Sequence, residues 1–175
     1  MQYDKKLYNP DIHELHNAIC VKQPYANLMV SKESEDAEGN TYAIKSIDIR
    51  SNYTKYRGNV IICSTSKNVP NLLSNAIVGE AELYDVKPAN ELTDEEWNCT
   101  KLEKGSIDKI KKSKANAWFF RNPHRIIELP VKGYKGLWDL CITKGDIVEY
   151  PEVLNLDKKD WKAFRKYGKK LKNNH

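Results

Sequence analysis

The sequence predicts an α+β protein: a small, mixed, largely antiparallel β-barrel with short flanking helices and one C-terminal helix. Short apolar runs separated by turn residues recur along the chain, and helical periodicity is confined to brief stretches. That balance favours a barrel over alternating strand and helix units. The stretch Ala43–Lys67 shows two kinds of strand. From Ile44 to Arg50 the residues alternate, with Ile44, Ser46 and Asp48 on one parity and Lys45, Ile47 and Ile49 on the other, so the two faces differ. Val60, Ile61 and Ile62 form a continuous β-branched run, the pattern of a strand buried on both faces. Gly58 supplies backbone freedom for the turn between them.

Composition sets the outer bounds. A chain of 175 residues, 40% hydrophobic and 30% charged, has room for one core and ordinary globular character. No apolar run approaches the roughly 20 residues of a membrane span. The opening MQYDKKLYNPDIHEL has no apolar signal region, so no secretory leader is expected. Cys20, Cys63, Cys99 and Cys141 stand apart, with no C-x-x-C pair. Three of them, Cys20, Cys63 and Cys141, lie in apolar runs, where a thiol acts as a small hydrophobe. A reducing, cytoplasmic setting without a disulfide framework is the expectation. The net charge of +5 is uneven: from Asp157 onward, Lys158, Lys159, Lys162, Arg165, Lys166, Lys169, Lys170 and Lys172 face only Asp157 and Asp160. Such a tail fits an anionic partner. The chain therefore divides into an N-terminal extension (1–17), a central domain (18–156) and a basic helical tail (157–175).

Taken in order, Asn9-Pro10-Asp11 reads as a turn, with Asp11 capping a short helix through His16. His13 and His16 would share a helix face there, but no acidic or thiol cluster completes a metal site, so surface histidines are expected. Ala18–Val21 reads as a strand, followed by a helix whose first turn suits Pro24. Ser34–Tyr42, with Gly39-Asn40, reads as a mobile loop or hairpin. Leu72–Ala76 is expected to end a short helix begun after Pro70, and Ile77–Val86 to be a long strand. Thr93, three residues before Glu96, is a capping-box signature. Ser106–Lys114 reads as a solvated basic helix or loop. Ala117–Arg121 is an aromatic strand that Asn122-Pro123 should turn into a second strand, Arg125–Leu129. Leu137–Ile142, with Trp138 in the core, closes the sheet. In the tail, Trp161 and Phe164 are spaced to face the body.

Three groups of residues then converge on a family. Gln23-Pro24-Tyr25-Ala26, Lys45-Ser46-Ile47-Asp48-Ile49-Arg50, and Tyr56-Arg57-Gly58 before an apolar strand ending in Ser64 resemble the ASCH domain of the PUA-like superfamily of small β-barrels. Ala117-Trp118-Phe119, Asn122-Pro123 and the run Val131-Lys132-Gly133 to Trp138 are similar to its later strands. The likeness covers about Ala18 to Cys141, in order. It implies an RNA-linked role through a cleft beside the lysine-to-arginine strand; no cofactor and no metal are expected. The family pattern there is Lys-Thr-x-Glu-x-Arg or close to it; this chain has Ser46 for the threonine and Asp48 for the glutamate. Some relatives hydrolyse the amide of N4-acetylcytidine with a lysine and a threonine two residues before the arginine. Asp48 stands in place of that threonine, and a carboxylate does not simply replace a hydroxyl nucleophile.

The chemistry of the residues is consistent with that role. Arg50 offers a planar fork of donors for phosphate or a base edge. Lys45 is a point charge, or a base where burial lowers its pKa, and Asp48 orients either cation. Tyr25, Tyr53 and Trp118 are aromatic candidates for stacking on a base, with core packing as the alternative. Gln23, Ser46 and Ser64 complete the candidate ligand set, and Lys162, Arg165, Lys166 and Lys169 are the candidate contacts to a nucleic-acid backbone. Three functions follow: a module binding RNA or a modified nucleotide; a small hydrolase of a nucleoside amide or RNA phosphodiester, with Lys45 and Asp48 catalytic; or a protein-interaction domain. The lack of a Ser-His-Asp or metal-ligand pattern favours binding.

Overall fold

The first strand of the described residues is nine-residue β1, His13–Val21. A computed structural model describes residues 10–143. After β1 come a short helix α1 (Tyr25–Met29), then β2 (Lys32–Glu35), β3 (Thr41–Ala43), β4 (Ile47–Arg50), β5 (Gly58–Ser64) and β6 (Ala76–Pro88). Helices α2 (Asp94–Asn98) and α3 (Lys104–Lys111) precede β7 (Asn116–Pro130) and β8 (Trp138–Thr143). Six strands form one curled half-barrel in the order β4-β7-β6-β5-β1-β8, and β2 and β3 pair as a separate hairpin. The β1–β5 pair is parallel and the other ladders are antiparallel, so the sheet is mixed and largely antiparallel as predicted. Among the described residues no helix is long and apolar enough to cross a membrane. The predicted tail helix lies outside the described residues.

Strand β5 shows why its β-branched run reads as doubly buried. Val60 and Ile62 enter one hydrophobic cluster with Ile19, Met29 and Phe120, while Ile61 and Cys63 enter another with Ile77 and Leu140. Alternate side chains of one strand therefore fill two cores. Gly58 holds φ +135°, and a side chain there would press on the Tyr56 hydroxyl at 2.9 Å.

Four expectations are corrected. His13–His16 is strand, not helix: His13 to Ala18 pair with Thr143 to Trp138 of β8, and these cross-strand bonds override the local capping signal. His13 is consequently buried rather than a surface residue, and His13 and His16 fall on opposite strand parities. Leu72–Ala76 is not helical; it is a bend that leads into β6. Asn122-Pro123 does not end a strand. β7 runs unbroken for 15 residues, with a register shift against β6 between Glu80 and Glu82. Asn122 takes φ +51°, a left-handed conformation that asparagine tolerates, and Pro123 is accommodated at that irregularity. Finally, the strand predicted from Ile44 starts only at Ile47, because Ile44 and Lys45 form a bend.

The Ser34–Tyr42 segment is the expected hairpin, with Asp36 accepting bonds from Asn40 N–H and the Tyr42 hydroxyl. The capping box also forms: the Thr93 hydroxyl accepts from Glu96 N–H, and the Glu96 carboxylate accepts from Thr93 N–H. Helix α2 packs Trp97 against a third cluster containing Ile47, Leu92 and Phe119. Ile107 and Ile110 of α3 pack against the same cluster, so that helix is solvated only on its remaining faces. We expect Thr93→Ala to cost about 1 kcal/mol in a urea melt, the usual worth of such a cap. Because α2 leads straight into the residues that hold Lys45, amide exchange at Cys99 and Thr100 should quicken with it.

Candidate functional site

The bend at Ile44 and Lys45 decides the geometry of the site. A straight strand would send Lys45 away from Asp48 and Arg50. Instead the bend brings all three together. Lys45 Nζ lies 3.3 Å from Asp48 Oδ1, and Arg50 Nη1 lies 3.0 Å from Asp48 Oδ2. The bend is held by main-chain bonds. Ser46 N–H and Ile47 N–H both donate to Cys99 O, and Phe120 N–H donates to Ser46 O.

Lys45 is only 1% exposed. Its ammonium donates to Ile47 O at 2.7 Å and to Thr100 O at 2.8 Å, and it sits 5.3 Å from the Tyr25 ring centroid. With Asp48 added, its three N–H donors have three acceptors. Burial pushes the Lys45 pKa below its ordinary value, and the Asp48 charge and hydrogen bond pull it part of the way back.

Arg50 is held differently. Its guanidinium stacks 5.3 Å over the Trp118 ring, and Nη1 also reaches Cys20 O at 3.5 Å. Nε is buried without a hydrogen-bond partner. Two cations share one carboxylate, so the cluster carries one excess positive charge in a region of low exposure.

The other candidates divide by what their atoms already do. Trp118 is 0% exposed and its indole donates to Asn52 O at 3.1 Å, so it supports Arg50 and has no open face for a base. Gln23 is buried, donating to Leu73 O and accepting from Asn27 N–H. Ser64 Oγ is buried between the N–H and the carbonyl of Ala76. Both pin the scaffold. Ser46 is half-buried and contributes its backbone to the bend. Tyr25 is half-buried beside Lys45, and Tyr53, at 56% exposure, stands on the loop after β4. Lys162, Arg165, Lys166 and Lys169 lie outside the described residues. Trp138, expected in the core, is half-buried and packs at the edge of the second cluster. Sequence reasoning missed Thr100, Cys20 and Asn52, which act through backbone carbonyls and carry no side-chain signal. Among the described residues, no group of three His, Cys, Asp or Glu side chains is placed to hold a metal ion.

No family model matches the chain, and no curated protein does. Solved structures of the ASCH protein from Zymomonas mobilis are similar to it. For a Ser→Ala variant of that protein the identity is 12%, over 86% of this chain and 94% of that one, with a TM-score of 0.50. For a Tyr→Phe variant the values are 17%, 65%, 74% and 0.48, and for the unsubstituted protein 15%, 65%, 72% and 0.48. At such identities the likeness speaks to fold alone, and it rests on the first of these matches. Its coverage of nearly the whole of both chains agrees with the mixed half-barrel described above: this chain has the ASCH-domain fold.

Proposed function

We propose that the protein binds single-stranded RNA or a modified nucleotide at the cleft beside Lys45, Asp48 and Arg50. The observation that carries this reading is the one excess positive charge of that cluster, together with an Arg50 guanidinium whose Nε has no partner. A phosphate or a base edge supplies the anion and the planar acceptors that such a guanidinium matches. Tyr53 is the exposed aromatic nearby in sequence, suited to stacking on a base. The tail cations Lys162, Arg165, Lys166 and Lys169 belong to the same proposal as backbone contacts.

Binding is favoured over hydrolysis because the Lys45 ammonium is fully engaged by three acceptors. A second reading, hydrolysis of a nucleoside amide such as N4-acetylcytidine or of an RNA phosphodiester, draws on the lowered Lys45 pKa. It requires that ammonium to give up a proton.

Fluorescence anisotropy with labelled single-stranded RNA, and thermal shifts with a panel of modified nucleosides, test the proposal. Arg50→Gln should weaken binding about 10- to 100-fold, the loss of a charge-assisted bond of roughly 1.5–3 kcal/mol. Wild-type affinity in that variant would refute the cleft assignment. Deacetylation or strand cleavage by wild-type protein, followed by mass spectrometry, would select the hydrolase.

A further inference from the structure

Cys20 and Cys63 were expected to serve only as small hydrophobes. Their placement says more. In the parallel pairing of β1 and β5, Cys20 lies directly opposite Cys63, and both thiols are free. Paired strands lie about 4.7–4.9 Å apart, within the roughly 4.4–6.8 Å between Cα atoms that a disulfide spans. The two sulfurs are unequal: Cys63 is fully buried, whereas Cys20 is half-buried at the cluster edge.

The surroundings of Cys20 suit a thiolate. The segment before β8 passes over it so closely that a side chain on Gly133 would press on Cys20 Sγ. The Tyr134 backbone and the Cys63 thiol on the neighbouring strand both favour the Cys20 anion. The Trp138 indole N–H is buried without a hydrogen-bond partner, and it also favours the anion. Arg50 adds a positive charge from β4. The Cys63 hydrogen bond, opposed by burial and helped by Trp138, Tyr134 and Arg50, lowers the Cys20 thiol from 9.0 to about 7. Cys63 moves the other way, well above its ordinary value, because it gives its hydrogen bond to Cys20 and is buried. One sulfur is thus suited to attack and its neighbour to hold its proton until needed.

We propose that Cys20 and Cys63 are a peroxide-responsive redox pair, with Cys20 the attacking thiolate and Cys63 the resolving thiol. The Cys20 sulfur attacks the distal oxygen of a hydroperoxide. The O–O bond breaks, an alcohol or water leaves with a proton from solvent, and Cys20 becomes a sulfenic acid. The Cys63 sulfur then attacks Cys20. The S–O bond breaks, water leaves carrying the Cys63 proton, and the two-electron oxidation ends as a Cys20–Cys63 disulfide. This inference is independent of the ligand proposed above. It has a bearing on the same place, because the Cys20 carbonyl is an acceptor for Arg50 Nη1.

The test uses the full chain and hydrogen peroxide. Peptide mass spectrometry without reductant should find Cys20 linked to Cys63. In a Cys63→Ala variant, dimedone should trap the sulfenic acid on Cys20. On wild-type protein, which needs no variant to fold, iodoacetamide at neutral pH should label Cys20 roughly tenfold faster than Cys141, with a pH midpoint of about 7. Labelling of Cys99 or Cys141 ahead of Cys20, or peroxide treatment that leaves Cys20 reduced, would overturn the proposal.

Discussion

Lys45→Met should lower stability by about 3–5 kcal/mol, the usual cost of removing one partner from a buried charge cluster. In a thermal melt that corresponds to roughly 6–20 °C for a domain of this size. The side chain's volume is nearly kept, so the loss is polar. Ile47 O and Thr100 O lose their donor, and Asp48 is left to Arg50 alone. The sequence alone suggests a different outcome, a folded variant that has lost turnover or some affinity. Burial at 1% exposure reverses that expectation. Adding Asp48→Asn should cost less than it does in the wild-type protein, because the Lys45–Asp48 pair is already gone. A double variant as unstable as the sum of the singles would mean that Lys45 and Asp48 do not act as a pair.

Trp118→Ala should cost a similar amount, about 3–5 kcal/mol, through the cavity left by a fully buried indole. It should also weaken ligand binding in whatever fraction stays folded, because Arg50 loses the ring it stacks on. Trp118→Phe separates the two effects. It keeps a ring beneath Arg50 while removing the donor to Asn52 O and part of the buried indole's volume, at about 1–3 kcal/mol. Stability from denaturant melts and affinity from the RNA titration should then diverge: Trp118→Phe loses stability with near-native binding. Equal loss of binding in both variants would show that the ring face does not position Arg50.

How much of this could be read beforehand depended on whether a residue's neighbours were local. Val60–Ile62 was legible as a doubly buried strand because β-branching and apolarity lie in the run itself. Thr93 and Glu96 were legible because a capping box closes within four residues. His13–His16 was not, since its bonds go to β8, well over a hundred residues onward. Asn122-Pro123 reads as a turn from composition, but the β6 ladder resumes beyond it, with Glu82 opposite Arg121 and Glu80 opposite His124, and carries the strand through. The charged trio was visible as a motif, and alternation put Lys45 on the wrong side of it. What corrects that placement is the pair of bonds from Ser46 and Ile47 to Cys99 O, a main-chain acceptor that no side chain advertises. The basic lysine tail, conspicuous in sequence, lies outside the described residues.

The bond from Lys45 to Thr100, 55 residues apart, has a consequence for the order in which the chain is made. A nascent chain that has emerged only as far as Ser64 already contains the complete lysine–aspartate–arginine motif. It still lacks the carbonyls that anchor the bend, the β7 strand that pairs with β4, and the indole that carries the arginine. Translation therefore delivers the charged motif well before its partners, and the three side chains are locked together only when the second half of the domain folds back onto the first.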